Sequence, residues 1–305
     1  MIVGPTAGGK TALGVELAKR LVREDGQPGQ VVTADAYQIY TDLNIGTAKP
    51  TIAEQDGIEH HLINIADLKD RFTVHDWLHR AEPIVDRLNT NGFSPVVVGG
   101  TNLYIKAFLD GLFEAPEPSD EVKERVEDMT QPQRRAMLEE VDPEAHARID
   151  GADIRRTKRA LEVYLQTGTP ITALQKQWDQ DKPTRPEAVL VGLDWSIDAI
   201  NTRINKRVKL MVEDGLVEEA LALFEADAFG DQSREAIGYK QLIAHFEGRC
   251  SLDEAIERIK IDTRRFAKNQ RTWLKRLRVR PGTIWVNAEG RSASQIADEV
   301  VERMG

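Results

Sequence analysis

The chain has 305 residues, of which 41% are apolar and 30% are charged. These values are typical of globular proteins, and the length suits about two domains, so a disordered chain is excluded. The net charge of −9 argues against indiscriminate nucleic-acid binding. No stretch approaches the roughly 18 uninterrupted apolar residues of a membrane span, and the first residues lack the features of a signal peptide. Cys250 has no partner for an intrachain disulfide. We therefore expect a soluble cytoplasmic protein without a Cys-rich zinc site.

Local patterns predict alternating helices and strands along the chain. Residues 10–24 carry leucines spaced by four and predict a helix. A second helix is predicted to begin near Thr73, where Asp76 completes a capping box, and Pro83 is expected to kink or divide it. Short β-rich runs predict strands at residues 31–34, 95–99, 189–193 and 283–286. This alternation predicts an α/β fold with a parallel sheet flanked by helices.

The composition changes after Gly111. Residues 110–153 contain 14 acidic and 5 basic residues, and prolines punctuate helix-like stretches. We therefore predict an all-helical domain at residues 112–187, inserted between two parts of an α/β core at residues 1–111 and 188–305. The insertion is expected to end near a loop at residues 181–186.

Residues 4–11 follow the pattern G-x-x-x-x-G-K-[ST] and lead directly into the first predicted helix. This pattern is typical of a P-loop, in which backbone N–H groups and a helix N-terminus surround phosphate oxygens. Lys10 adds a full positive charge, and the hydroxyl of Thr11 is expected to bind Mg²⁺. Only three residues precede the loop, so its supporting strand is short and a native start upstream of Met1 stays open. The predicted phosphate site consists of Gly4, Pro5, Thr6, Ala7, Gly8, Gly9, Lys10 and Thr11.

Two other predicted strands end in residues that suit phosphate chemistry. Asp35 ends the strand at residues 31–34, and Thr101 follows two glycines after the strand at residues 95–99. Because the carboxyl ends of parallel strands meet at one edge of the sheet, both side chains are expected near the P-loop. Asp35 can orient Mg²⁺ or accept a proton, or it can cap a turn; Thr101 can reach a phosphate or leaving-group oxygen, or cap the next helix. A P-loop kinase of a small metabolite is consistent with these residues.

Several motifs occur in a recognisable order. In the first part of the chain they are residues 4–11, Asp35-Ala36-Tyr37-Gln38-Ile39-Tyr40, Ile45-Gly46-Thr47-Ala48-Lys49-Pro50, His60-His61-Leu62-Ile63 and Gly99-Gly100-Thr101-Asn102-Leu103-Tyr104. Later motifs are Arg159-Ala160-Leu161-Glu162-Val163, Ala236-Ile237-Gly238-Tyr239-Lys240 and the run from Thr263 to Trp273. Over essentially the whole chain they resemble the tRNA dimethylallyltransferases, also called tRNA isopentenyltransferases. The Ile-Gly-Thr-Ala-Lys-Pro run is far more specific than a P-loop alone.

The resemblance implies a P-loop NTPase-like core that holds dimethylallyl diphosphate. The allylic carbon, rather than a phosphoryl group, is then transferred to N6 of the adenosine at tRNA position 37, next to the anticodon. Asp35 is implied as the base that takes the proton from the exocyclic amine, and Thr101 is implied at the bridging oxygen of the leaving group. Lys10, Arg207 and Mg²⁺ are implied to neutralise the charge that develops on the diphosphate.

The resemblance also implies which residues contact the anticodon stem-loop of the tRNA, from which the target base is expected to flip out. These residues are Asp35, Ala36, Tyr37, Gln38, Thr101, Lys123, Arg155, Arg156, Thr157, Lys158, Arg159, Gly238, Tyr239 and Lys240. Five positions depart from the family's common residues, namely Ala36, Asn44, Asn64, Asn102 and Glu235. Ala36 and Glu235 put individual tRNA contacts in doubt, because Ala lacks a hydrogen-bonding side chain and Glu repels phosphate.

Residues 258–280 hold ten basic residues against Asp262 alone. In the helix predicted at residues 258–278, Phe266, Trp273 and Leu274 alternate with cations that are expected to face phosphate. The aromatic side chains either form the core face, which we expect, or stack on bases. His60 and His61 are expected to pack in a loop rather than to bind a metal. We expect a monomer without an obligate protein partner. A non-catalytic RNA-binding protein is a third hypothesis, but it would have no need of the P-loop.

Overall fold

The computed structural model of the chain describes residues 1–112, 116–180 and 185–304, without the side chains of residues 177–180. Most of the predicted loop at residues 181–186 therefore lies outside the described residues. The chain forms two compact units, one of Met1–Ala107 with Glu187–Gly305 and one of Phe108–Pro186. In the part of the chain that is described, no helix is long and apolar enough to cross a membrane.

The first unit contains a six-stranded parallel sheet. The strands are β1 (Ile2–Val3), β2 (Gln30–Ala34), β3 (His60–His61), β4 (Pro95–Gly99), β5 (Val191–Asp194) and β6 (Ile284–Asn287). Their order across the sheet is β3-β2-β4-β1-β5-β6. The register pairs Val31 with Val96, and Ala34 with Gly99. Because all pairs are parallel, the loops after β1, β2 and β4 leave the sheet at the same edge.

Helices connect and cover the strands. They are α1 (Lys10–Arg20), α2 (Ile52–Gln55), α3 (Val74–Thr90), α4 (Asn102–Asp110), α5 (Asp120–Glu127), α6 (Gln131–Val141), α7 (Pro143–Arg148), α8 (Ile154–Thr167), α9 (Ile171–Gln180), α10 (Ile197–Glu213), α11 (Leu216–Glu225), α12 (Tyr239–Phe246), α13 (Leu252–Leu277) and α14 (Ala293–Met304). One side of the core joins Leu13 and Leu17 of α1 with Val98 of β4 and Ile296 and Val300 of α14. This packing holds the helix that follows the P-loop firmly against the sheet.

The α/β fold with a parallel sheet is confirmed. The strand predicted at residues 95–99 matches β4, and the other three predicted strands differ from the observed ones by one or two residues at their ends. The sequence did not predict β3, because a strand of two residues is too short to show alternation. The predicted division of α3 is wrong. Thr73 and Asp76 form the capping box, and α3 then runs unbroken to Thr90. Pro83 lies on the exposed side, where water can hydrate the carbonyl that loses its helical partner.

The cation-rich helix α13 begins at Leu252, earlier than predicted. Ser251 is its N-cap residue and forms a capping box with Glu254 of the first turn. Its buried side includes Thr263, Ala267, Gln270 and Leu274. Phe266 is 41% exposed, so the prediction that it belongs to the core is wrong. The helical period places Phe266 at the margin of the buried face, which a composition of mixed cations and aromatics does not reveal.

The second unit is all-helical in its described part and has a core of its own. Val126, Leu138, Ala145 and Leu161 come together there from α5, α6, α7 and α8. Arg134 is buried and donates to the carbonyl oxygens of Val126 and Glu127 at the end of α5, both at 2.7 Å. Helix ends leave carbonyl groups without helical partners, so this arginine terminates α5.

Gly99 permits the close approach of β2 and β4. A Cβ atom at this position would lie 2.2 Å from the carbonyl oxygen of Ala34 and 2.5 Å from its Cβ. We expect Gly99→Ala to lower the free energy of unfolding by about 1–3 kcal/mol, because the two strands must separate. Thermal unfolding measures the effect. Gly151→Ala is the control, since no atom lies within 4 Å of its added Cβ; equal melting temperatures of the two variants would contradict the steric argument.

Candidate active site

The loops at the carboxyl edge of the sheet enclose a cavity of about 80 Å³. Its polar lining comes from five parts of the chain. The residues concerned are Thr6, Lys10, Thr11, Thr33, Asp35, Gln38, Thr47, His60 and Arg207. The structure therefore brings together three of the predicted catalytic residues, and the fourth, Thr101, directly follows Gly100 of the cavity wall.

The P-loop is held by donors that bind its carbonyl oxygens. Lys10 Nζ donates to Pro5 O at 2.9 Å, Trp195 Nε1 to Gly8 O at 3.1 Å, and Arg203 Nε to Ala7 O at 2.9 Å. The guanidinium of Arg203 also lies 4.6 Å from the centre of the Trp195 ring. Carbonyl oxygens would repel a bound phosphate, so their engagement by these donors leaves the loop suited to an anion.

Two cations of the cavity, Lys10 and Arg207, lie partly buried and close together. Arg207 Nη2 donates to Thr6 Oγ1 at 2.5 Å, while its buried Nε has no partner among the described residues. Burial is the main cause that lowers the pKa of Lys10 to about 8; Arg207 contributes to this shift, and the carboxylate of Asp35 opposes it. Burial also lowers the pKa of Arg207 to about 10. Near neutral pH both side chains are cationic and lack a full counter-charge, which is the condition for binding an anion.

The carboxylate of Asp35 lies in the cavity wall and also contacts the turn after β2. Its Oδ1 accepts from the backbone N–H groups of Tyr37, at 2.9 Å, and Gln38, at 3.2 Å. The carboxylate therefore caps the turn after β2, and its second oxygen remains for chemistry in the cavity.

Thr101 is connected to the same turn. Its hydroxyl oxygen accepts from the N–H of Ala36 at 3.1 Å, although the residue stands directly before α4. An accepting hydroxyl keeps its own hydrogen, and no described residue accepts it. Thr101 is thus a free donor beside the loop that carries Asp35.

A network outside the cavity holds the segment 45–50, the most specific motif of the sequence. Tyr239 donates its hydroxyl to Glu219 and accepts from Gly46 N at 3.1 Å, while Glu219 also accepts from Ile45 N. The Tyr239 ring lies so close that a Cβ at position 46 would be 2.4 Å from it, which requires glycine. Gln38 donates to the carbonyl oxygens of the same segment at positions 47 and 48. The segment is therefore fixed against the turn that follows Asp35.

Lys49 is the polar centre of this segment. Its ammonium donates to Asn44 Oδ1 at 3.0 Å, to Asn64 Oδ1 at 2.5 Å and to two carbonyl oxygens. Burial lowers its pKa to about 8. The two asparagines at positions where the resemblance expects Asp thus keep the hydrogen bonds of the lysine but supply no negative charge.

The predicted RNA-contacting residues differ in accessibility. The side chains of Thr157 and Tyr239 are fully buried, so they hold their helices rather than face solvent. Within residues 155–159, Arg156, Lys158 and Arg159 have acidic partners, whereas Arg155 is exposed and has none among the described residues. Other partners are Asp120 for Lys123 and Glu235 for Lys240.

Sequence reasoning missed four residues of the site. Trp195 and Arg203 brace the P-loop, Gln270 contacts it from α13, and His60 forms part of the cavity wall. His60 lies in β3 rather than in a loop, and burial lowers its pKa, so it is neutral near pH 7. No group of three or more His, Cys, Asp or Glu residues that could hold a metal occurs in the described chain.

Comparisons with known proteins agree with the resemblance seen in the sequence. A family model described as IPP transferase matches residues 38–277. The chain is 42% identical over 280 residues to a tRNA dimethylallyltransferase of Geobacillus kaustophilus, covering 90% of this chain and 86% of the relative. It is 36% identical over 313 residues to the tRNA dimethylallyltransferase of Carboxydothermus hydrogenoformans, and the match covers 100% of this chain and 96% of the relative. The crystal structure of a tRNA isopentenylpyrophosphate transferase from Bacillus halodurans matches with a TM-score of 0.70 at 34% identity. The match covers 99% of this chain and 95% of that structure's chain.

The lowered pKa of Lys10 predicts how anion binding depends on pH. A diphosphate ester is fully ionised above about pH 7, because the last phosphate pKa is near 6. Above pH 8 the free protein must recover a proton on Lys10 before the charge pair forms. The affinity should therefore be nearly constant from about pH 7 to 8 and then fall by up to roughly tenfold per pH unit.

Calorimetric titration with a diphosphate ester measures this profile. Lys10→Ala is the control and should bind weakly at every pH, without the inflection near pH 8. A wild-type affinity that stays constant through about pH 9 would contradict a titrating Lys10 in the anion site.

Proposed function

This chain belongs to the IPP transferase family, whose members transfer a dimethylallyl group to a tRNA adenosine, and we propose how its cavity performs this reaction. The acceptor is N6 of the adenosine next to the anticodon, and the donor is dimethylallyl diphosphate. The observation that carries the proposal is the pair of partly buried cations at the P-loop, which faces the carboxylate of Asp35 across a small cavity. One side of the cavity suits a leaving diphosphate and the other suits a base.

On the donor side, the bond between the allylic carbon and the diphosphate oxygen breaks and the electron pair leaves with the diphosphate. Lys10 and Arg207 lie where that charge develops, and the P-loop N–H groups surround the phosphates. Because both cations are already in place before the reaction, little reorganisation is needed when the charge appears. Thr101, whose hydrogen is free, donates to the bridging oxygen as it becomes negative.

On the acceptor side, N6 forms the new bond to the allylic carbon and must lose a proton. The free oxygen of Asp35 accepts this proton as the carbon–nitrogen bond forms. The first oxygen stays in its hydrogen bonds to Tyr37 and Gln38, so the base is held in one orientation. The products are N6-(dimethylallyl)adenosine in the tRNA, diphosphate and one proton.

The residues of the site fit a magnesium ion that arrives with the diphosphate. The hydroxyl of Thr11 lines the cavity beside Asp35, and the described residues offer no all-protein cage of carboxylates. Mg²⁺ usually keeps water and phosphate oxygens and takes few protein ligands. When bound, it adds positive charge to the leaving diphosphate.

Exposed cations supply the proposed contacts to the anticodon stem-loop. Arg155 and Arg156 lie exposed at the beginning of α8, where their charges can reach phosphate oxygens. Lys240 is exposed next to the buried Tyr239, and Glu235 reduces its charge. The target adenosine leaves its stack to enter the cavity. We place this reaction in the cytoplasm, since the substrate is tRNA and the chain has one cysteine.

The central test offers the protein unmodified tRNA, Mg²⁺ and either radiolabelled dimethylallyl diphosphate or γ-labelled ATP. We expect label from the prenyl donor on the adenosine next to the anticodon, and none from ATP. Turnover of ATP without labelled RNA would instead support a kinase of a small metabolite. Binding of tRNA without product from any donor would support an RNA-binding protein.

The matched variants in the same assay are Asp35→Asn and Asp35→Ala. The amide oxygen of Asn can still accept from Tyr37 and Gln38, so the turn is preserved and only the base is lost. We expect transfer by Asp35→Asn to fall by about 10²- to 10⁴-fold while tRNA affinity is kept. Full activity of Asp35→Asn would require another base.

Arg155 provides the sharpest test of the RNA-contacting surface, because no acidic side chain of the described chain neutralises it. Arg155→Ala should weaken tRNA binding and reduce the slope of log affinity against log salt by about 0.7 to 0.9, the value for one phosphate contact. Lys176→Ala is the control, since it removes the same charge from the same unit but from a lysine paired with Glu144. Equal salt slopes for wild type and Arg155→Ala would contradict the assignment.

A further inference from the structure

Gln270 is a buried amide on a helix that otherwise carries many exposed cations. It lies in the middle of α13 and is 1% exposed. Burying an amide costs free energy unless its polar atoms find partners. The partners of Gln270 therefore indicate why an amide occupies this position.

Both ends of the amide bind loops of the active site. Its Oε1 accepts from the backbone N–H of Thr6 at 2.7 Å, and its Nε2 donates to the carbonyl oxygen of Gly100 at 2.8 Å. These contacts join residues that are 264 and 170 positions apart in the chain. A single rigid group thus sets the distance between the P-loop and the loop after β4.

Each of these loops carries a group that acts on the leaving diphosphate. The hydroxyl of Thr6 accepts from Arg207, and Gly100 directly precedes Thr101. Gly100 also lies close to Lys10, since a Cβ at this position would be 2.6 Å from Gln270 Nε2 and 3.3 Å from Lys10 Nζ. A shift of either loop would therefore move Thr101 relative to Arg207 and Lys10.

We propose that Gln270 is a positioning residue of the transfer reaction, which fixes the spacing between the P-loop cations and Thr101 through the two ends of its amide. This inference rests on the proposed function. An amide is suited to the task because it offers an acceptor at one end and a donor at the other, which a carboxylate, a hydroxyl or an apolar group of this length does not. Misplacement of reacting groups by about 1 Å can cost on the order of 100-fold in rate.

The decisive variant is Gln270→Glu, assayed with dimethylallyl diphosphate at saturating unmodified tRNA. Near pH 8 the carboxylate still accepts from Thr6 N but faces the carbonyl oxygen of Gly100 with a second acceptor. We expect kcat/KM for the donor to fall on the order of 10- to 100-fold, while the Kd for tRNA stays within about twofold. The Kd for inorganic diphosphate should rise in the same variant.

The pH profile separates positioning from a general structural defect. Burial raises the pKa of a carboxyl group and the nearby ammonium of Lys10 lowers it, so the protonated fraction of the glutamate is larger at about pH 6 than at about pH 8. The resulting acid donates to Gly100 O and accepts from Thr6 N as the amide does, and the ratio of variant to wild-type kcat/KM should rise. Gln270→Met has no polar end, so its ratio should be low and independent of pH.

Thr263→Val is the matched control. Thr263 is another buried polar residue of α13, but its hydroxyl donates to Ile259 O within the helix. Its donor kinetics should stay within about twofold of wild type. Wild-type kinetics in both Gln270 variants, an equal loss in Thr263→Val, or a loss confined to tRNA affinity would overturn the inference. If the wild type itself transfers no dimethylallyl group, the proposed function fails, and the diphosphate Kd of the three variants still tests the spacing.

Discussion

The positive charges of Lys10 and Arg207 lie partly buried beside one another at the P-loop. The arrangement of the other residues of the site depends on keeping these two charges in place. Burial lowers the pKa of Lys10 and of Arg207, and the carboxylate of Asp35 stabilises both charges only in part. A buried cation without a full counter-charge is unfavourable in the free protein. In the proposed function a diphosphate supplies the missing negative charge, so the cost of holding these cations out of water would favour donor binding. The same cations would remain in place when the leaving group gains its charge.

Such a site requires that its loops do not collapse onto the cations. The P-loop carbonyl oxygens are engaged by Trp195, Arg203 and Lys10, and the amide of Gln270 separates the P-loop from the strand that precedes Thr101. On the other side, the pair Glu219 and Tyr239 holds the segment 45–50. Burial raises the pKa of Tyr239, so its hydroxyl remains a donor to Glu219. The positions of the proposed reacting groups thus depend on residues that do not react themselves, such as Trp195, Gln270 and Tyr239.

Local chemistry explains what could be predicted from the sequence. The P-loop, the capping box of Thr73 and the β-branched strands are each encoded by neighbouring residues, and the parallel sheet then places Asp35 and Thr101 at one edge. Gln270 could not be assigned in this way, because its partners lie 170 and 264 positions away. Phe266 was placed wrongly because its position at the margin of a helical face depends on the packing of its neighbours. The turn-capping alternative for Asp35 is observed, and it leaves the second carboxylate oxygen available for the proposed role as a base.

Charge is distributed so that an acidic protein can still bind RNA at chosen places. The chain has a net charge of −9, yet residues 258–280 contain ten basic residues against one acidic residue. Acidic side chains also offset the positive charge of individual lysines. Glu235 pairs with Lys240, and Glu127 pairs with Lys158. Lys240 therefore offsets the charge of Glu235, which the sequence suggested would repel phosphate. Under the proposed function, repulsion by the acidic surface weakens binding to RNA of any shape, so affinity would depend on ligands that reach the unpaired cations and also place a base in the cavity.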